Sequence, residues 1–224
     1  MAWQWGSAGM RSGVLVVTAV CGALAGTVVM AQQPAPQGNA RKGEVLSYTC
    51  LGCHGVEDYR NAYPNYSVPE LRGQHPEYLS AALQEYRDSD RAHMTMHAQA
   101  TELSDQDIAD IAAYFAGKPL GTDAKPQGDL PEAAKICTTC HGVNGVGITP
   151  QFPTLAGQHP DYLVQALIEY KKGGRKNPIM SAQAAQVKDD DMEVIADYFS
   201  KQRPALESES RPMTAMGKRA APGQ

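Results

Sequence analysis

The strongest constraint on this chain is that it repeats itself. Cys50-Leu51-Gly52-Cys53-His54-Gly55-Val56 returns 87 positions later as Cys137-Thr138-Thr139-Cys140-His141-Gly142-Val143. Gly73-Gln74-His75-Pro76-Glu77-Tyr78-Leu79 returns 84 positions later as Gly157-Gln158-His159-Pro160-Asp161-Tyr162-Leu163. Arg91, Met96, Ala98 and Gln99 are echoed by Arg175, Met180, Ala182 and Gln183, and Tyr114-Phe115 by Tyr198-Phe199. The first copy is simply longer between its His and its Gly-Gln-His-Pro segment. Such a period is too long for a solenoid and predicts two small tandem domains.

The boundaries follow from composition. Residues 41–117 form the first domain and 130–202 the second. Residues 118–129, with Pro119, Gly121, Pro126 and Gly128 and no hydrophobic periodicity, read as a linker. Segments 32–40 and 203–224 are rich in Pro, Ala, Gly and Ser and are expected to be disordered. Ahead of them, an uncharged apolar run from Val14 to Met30 ends in Val29-Met30-Ala31, with small residues at the −3 and −1 positions of a cleavage site. Residues 1–31 therefore read as a secretory signal peptide. The rival reading, a retained anchor giving peripheral membrane association, rests on the length of the run. Cleavage removes Cys21 and leaves four cysteines in an exported, thiol-oxidising setting.

Each copy reads as helical, so the fold class is all-α. A short helix leads into each Cys pair, over Gly43–Cys50 and over Pro131–Thr139. A second starts at Pro76 or Pro160, with Leu79, Ala82, Leu83 and Tyr86 matching Leu163, Ala166, Leu167 and Tyr170 at helical spacing. A third opens at Ser104 with a capping-box pattern and presents Ile108, Ile111, Ala112 and Phe115 on one face. No alternating strand pattern is present. Aromatic residues make up only 7% of the chain, three of them Phe, too thin an inventory for two independent cores. Something large and apolar must fill each domain.

The cysteine motif names that filler. Cys-x-x-Cys-His is the attachment signature of c-type haem. Two thiols one turn apart add across the two porphyrin vinyl groups, and the adjacent imidazole reaches the iron. A zinc site would need four ligands close together, a thioredoxin-like motif a βαβ context, and a structural disulfide would not need the His. Two covalent haem c groups are thus expected, on Cys50, Cys53 and His54 and on Cys137, Cys140 and His141. The repeat nominates Met96 and Met180 as sixth ligands, a pairing that raises reduction potential. Met94 competes with Met96 but has Pro178 as its counterpart. His75 and His159 are an alternative ligand pair, although they read better as openers of the second helix. His93 and His97 occur only in copy one and read as surface residues. The carbonyls near Pro69 and Pro153 are candidates to accept the Nδ1 proton of the haem-binding His. Arg91 and Arg175 are candidate partners for haem propionates, the alternative being solvated arginines.

Taken together, these residues resemble the dihaem cytochrome c4 family. The resemblance runs from about Arg41 to Gln202. It rests on the two Cys-x-x-Cys-His-Gly motifs, the repeated Leu-x-Gly-Gln-x-Pro-x-Tyr-Leu segments, the repeated Met and Ser104–Asp110. It implies two class I cytochrome c domains related by a pseudo-two-fold, Met/His ligation at both irons and electron transfer in the periplasm toward terminal oxidases. The loop Gly55–Val68, with Tyr59, Tyr63 and Tyr66, and the long tail after Arg203 depart from the family pattern.

Charge bears on the partner. The formal net charge is −4, which argues against nucleic-acid binding. Residues 41–117 carry 6 Lys+Arg against 12 Asp+Glu, and residues 130–202 carry 7 against 8. Lys171, Lys172, Arg175 and Lys176 form a basic cluster, read either as a solvated face or as one half of a polarised docking surface. The expected function is an electron carrier between a quinol-oxidising complex or other respiratory donor and a terminal oxidase or reductase. The first alternative is an electron-accepting subunit of a periplasmic dehydrogenase. A dihaem peroxidase would need an open or bis-His iron, and a thiosulfate dehydrogenase usually a Cys ligand, absent here. No residue is assigned a catalytic role, and nothing in the sequence sets an oligomeric state.

Overall fold

The computed structural model describes Met1, residues 36–63 and residues 65–209. The expected signal segment, the start of the 32–40 segment and the tail from 210 lie outside the described residues, Met1 apart. Among the described residues the regular structure is helical, with three isolated β-bridges and no strand.

The first copy contains α1 (Ala40–Leu46), α2 (Leu51–His54), α3 (Pro76–Arg87), α4 (Met94–Ala100) and α5 (Asp105–Ala116). The second contains a 3-10 turn (Glu132–Ala134), α6 (Thr138–His141), α7 (Pro160–Lys172), α8 (Pro178–Gln186) and α9 (Asp189–Ser200). Pro76 and Pro160 occupy the first turns of α3 and α7, where their missing N–H costs nothing. Ser104 and Asp107 form the capping box that starts α5. Each core gathers the inner faces of two long helices: Leu79 with Ile111, Ala112 and Phe115 in the first copy, Leu163 with Ile195, Ala196 and Phe199 in the second.

The two copies differ at their entrances. A single helix over Gly43–Cys50 does not form: α1 ends at Leu46, and a turn precedes α2. Its counterpart over Pro131–Thr139 shrinks to the 3-10 turn and α6. Pro131 is extended at ψ 149° and biases the preceding Leu130 away from helix, so no full turn can start earlier. In the first copy α1 lies almost backbone to backbone on α5. A Cβ on Gly43 would stand 1.8 Å from the Asp110 carbonyl oxygen. Asp110 is buried there, whereas Val194, at the matching position of α9, is 45% exposed because no such helix covers it.

Helices α4 and α8, which carry Met96 and Met180, follow the second helix of each copy. Their starts are capped by side chains: His93 Nδ1 accepts from the Met96 N–H at 3.2 Å, and Asn177 Oδ1 accepts from the Ile179 and Met180 N–H groups, both at 3.1 Å.

Segments expected to be disordered are held. Asn39 caps α1, and its N–H donates to buried Asp110 at 2.7 Å. Gln106 Nε2 donates to the Gln37 carbonyl at 3.0 Å. Residues 203–209 run from the second domain back over the first. Leu206 is buried and its N–H donates to Ala156 O at 2.8 Å, while Arg72 and Glu207 exchange backbone bonds of 2.9 and 3.2 Å. Arg72 pairs with Glu209, whose N–H donates to the His54 carbonyl. Three backbone partners and one buried leucine outweigh the low-complexity composition that suggested disorder. The 118–129 segment has no regular structure but is tied to the second domain, where Gln127 and Gln202 exchange bonds of 2.8 and 2.9 Å.

The copies meet through their equivalent parts. Arg91 and Arg175 form an antiparallel bridge, flanked by Ala92 N–H to Gly174 O and Lys176 N–H to Asp90 O, each 2.8 Å. The longer loop of copy one adds a contact with no counterpart: Ser67 N–H and Oγ both donate to Asp161, and buried Tyr66 packs on Tyr162 with ring centroids 6.2 Å apart.

Candidate functional site

In the first copy, α2 brings Cys50, Cys53 and His54 to one wall of a cavity, and α4 brings Met96 to its lining. Leu79 and Leu83 of α3 and Ile111 and Phe115 of α5 supply apolar walls. Phe115 also meets the His54 ring edge to face at 6.2 Å. None of Cys50, Cys53, Cys137 and Cys140 is in a disulfide, and burial pushes the Cys50 and Cys137 thiols up, so both stay protonated.

Burial holds the His54 and His141 imidazoles below the usual histidine range, so both are neutral, the form that binds iron. Each ring donates its Nδ1 proton to a proline carbonyl: His54 to Pro69 O at 3.0 Å and His141 to Pro153 O at 2.8 Å. That bond fixes the tautomer and leaves the Nε2 lone pair for a metal.

The two methionine positions separate cleanly. Met96 is half-buried and lines the cavity, while Met94 is 87% exposed on the same short helix. Met180 is half-buried at the matching position of α8. His75 and His159 occupy the positions that open α3 and α7, as expected, and their rings turn instead to the other domain. His75 Nε2 lies 3.3 Å from Gly147 O, and His159 Nε2 pairs with Glu70 at 3.0 Å.

Three readings need correction. His93 is not a surface residue: it lines the cavity, caps α4 and stacks edge-on against Tyr66 and Tyr86. His97 is likewise engaged, with Nδ1 donating to Tyr86 O at 2.8 Å. Arg91 and Arg175 are not solvated, being 3% and 2% exposed. Arg91 lies over the Tyr78 and Tyr86 rings, Arg175 over those of Tyr162 and Tyr170. Three of the four members of the basic cluster have acidic partners, and Lys172 is exposed. Arg175 pairs with Glu169 at 2.5 Å, Lys171 with Asp189 at 2.8 Å and Lys176 with Asp90 of the first domain at 2.9 Å. The tyrosines around the arginines were legible only as helix-face residues. Their signal was that all four recur at matching positions of the two copies.

The fit to haem can be tested on these residues. The donor set is two thiols, a neutral imidazole and a thioether around an apolar hollow. Arg91 lines that hollow, and its buried Nε makes no hydrogen bond, although Glu85 stands 3.2 Å away. An apolar disc with carboxylate substituents matches both the walls and a buried guanidinium with one N–H left over. Among the described residues, no three His, Cys, Asp or Glu side chains converge as a bare metal ion would require.

The Cytochrome c family model matches residues 40–117 and 133–202. Cytochrome c4 of Pseudomonas aeruginosa is 36% identical over 179 residues, covering 72% of this chain and 88% of that protein. The thiosulfate dehydrogenase electron acceptor of Stutzerimonas stutzeri is 29% identical, covering 67% of this chain and 77% of that protein. The crystal structure of reduced recombinant cytochrome c4 from Pseudomonas stutzeri superposes with a TM-score of 0.59 at 32% identity, covering 74% of this chain and all of that one. Two tandem cytochrome c domains, each with its own cysteine pair for a covalent haem c, place this chain in the dihaem cytochrome c4 family of electron carriers.

Proposed function

We propose that this protein carries single electrons in the periplasm between a quinol-oxidising respiratory complex and a terminal oxidase or reductase. The observation that carries this reading is the duplication of one donor set. In both copies a Cys pair precedes a His tied to a proline carbonyl, and a Met sits at the same position of a short, side-chain-capped helix. His54 and Met96 in the first domain, and His141 and Met180 in the second, would hold the haem iron. Bound haem supplies a reversible one-electron couple at each site. The chain's residues do the rest: the apolar walls exclude water, and a methionine thioether and a histidine at each site would hold the iron from protein donors alone and favour its reduced state. The buried guanidinium groups of Arg91 and Arg175 would supply counter-charge for haem carboxylates.

Export through the 1–31 segment places the chain where its cysteines can meet haem. No helix of the described residues is long and apolar enough to cross a membrane. The relative named as a thiosulfate dehydrogenase electron acceptor supports a second reading, in which the donor is a periplasmic dehydrogenase rather than a quinol-oxidising complex.

The test is to mix the purified, fully reduced protein with membranes holding terminal oxidases and follow both haems by stopped-flow absorbance. Rapid oxidation of both haems, with no turnover of peroxide or thiosulfate by the protein alone, is expected. Catalytic turnover by the protein alone, or haems that the membranes cannot oxidise, would overturn the carrier reading.

A further inference from the structure

The repeated Gly-Gln-His-Pro segment contains a glutamine that haem binding does not explain. Gln74 and Gln158 are 3% and 4% exposed, and each points its amide into the other domain. Gln158 Oε1 accepts from the Glu70 N–H at 2.9 Å, and its Nε2 donates to the Glu70 carbonyl at 3.0 Å. Gln74 does the same to Thr154, accepting from its N–H at 2.8 Å and donating to its carbonyl at 2.9 Å.

The position of these clamps matters. The Glu70 N–H belongs to the same peptide group as the Pro69 carbonyl, and that carbonyl accepts the His54 Nδ1 proton at 3.0 Å. The Thr154 N–H belongs to the same peptide group as the Pro153 carbonyl, which accepts from His141 at 2.8 Å. Each glutamine oxygen is therefore one peptide group away from a haem-binding histidine of the opposite domain. A peptide whose N–H is bonded to an acceptor has a more polarised carbonyl, and hydrogen bonds in such a chain strengthen one another. A stronger acceptor at Nδ1 makes the imidazole a more electron-rich ligand and stabilises the oxidised iron.

We propose that Gln158 and Gln74 are positioning residues wired crosswise: Gln158, in the second domain, sets the potential of the first haem, and Gln74, in the first domain, sets that of the second. The proposal rests on the His/Met haem reading above. It also gives the domain interface a redox role: any partner or change that parts the domains removes both glutamines from their peptides and raises both potentials together.

The experiment is a potentiometric titration of the holoprotein followed by NMR. Haem content is measured first, and each midpoint is assigned through the methyl resonance of its axial methionine. Gln158→Leu should raise the midpoint of the first haem, leave that of the second in place, and move the His54 Nδ1–H resonance of the reduced protein upfield. Gln74→Leu should do the converse at the second haem and His141. Gln158→Glu, protonated where it is buried, keeps an oxygen for the Glu70 N–H and an O–H for the Glu70 carbonyl, so it is the second variant should a leucine variant lose haem. Its first-haem midpoint should not rise. A shift at the haem of the mutated domain, an equal shift at both, no shift, or a rise in Gln158→Glu would each overturn the wiring. A wild-type protein lacking two haems or the methionine resonances would instead overturn the underlying ligand reading.

Discussion

Arg91 and Arg175, 84 positions apart, pair backbone to backbone across the two domains, and both guanidinium groups are buried where they meet. Two like charges in one interface are tolerable only with compensation. Glu85 and Glu169 supply carboxylates from the ends of α3 and α7, and the hydroxyls of Tyr78, Tyr162 and Tyr170 accept from the guanidinium groups at 3.2, 3.3 and 3.4 Å. The asymmetry lies in the carboxylates: Glu169 is 13% exposed and Glu85 27%.

That asymmetry ranks two variants. Arg175→Ala strands a nearly buried carboxylate and should cost about 3 kcal/mol of holoprotein stability. Arg91→Ala leaves Glu85 better able to recover water and should cost less. Denaturant titrations of the two variants check the order. Equal losses, or a larger one for Arg91→Ala, would contradict it.

The interface should also respond to pH. The Glu70 carboxylate raises the His159 imidazole above the usual histidine range, against the opposing effect of burial, and Asp161 and Asp58 add to the rise. The folded pKa exceeds the unfolded one, near 6.5. Stability from this pair is therefore complete below about pH 6.5 and is lost as pH rises through the folded value. The stability difference between wild type and His159→Gln should shrink as pH is raised from about 6 to about 8. A difference that grows with pH would show that the pair is not ionic.

The methionines give a sharper contrast. Met96→Ala should abolish the thioether-to-iron charge-transfer band of one oxidised haem and lower its potential, whereas Met94→Ala, at an exposed position, should change neither. Optical spectra of the two oxidised variants decide this. Loss of the band in Met94→Ala would reassign the ligand.

Much of this architecture could be read from the repeat alone. The Cys-x-x-Cys-His motif and the recurrence of Met96 and Met180 nominate the donor set, and Pro76, Pro160 and Ser104 mark helix starts through local chemistry. What escaped was non-local. Burial of Arg91 and Arg175 depends on how the domains dock, and no periodicity encodes that. Residues 203–209 look disordered by composition, yet they are fixed by backbone bonds to Arg72, Ala156 and His54. The short helix over Met94–Ala100 is hard to see in sequence because its cap is a histidine, whereas Asn177 ahead of Pro178 is an ordinary helix start.

The thin apolar inventory makes folding depend on the cofactor. Cys50→Ala combined with Cys53→Ala should leave the first domain poorly helical, while the second retains its haem. Circular dichroism together with haem content tests this. A haem-free first domain with full native helicity would show that Leu79, Ile111 and Phe115 suffice as a core.

The most direct test of the account is an optical potentiometric titration of the purified protein, with haem stoichiometry fixed beforehand. The account predicts two haems per chain, both low-spin and both at clearly positive potentials, as His/Met ligation at His54 with Met96 and at His141 with Met180 requires. A single haem, a high-spin component, or one haem at strongly negative potential would contradict it.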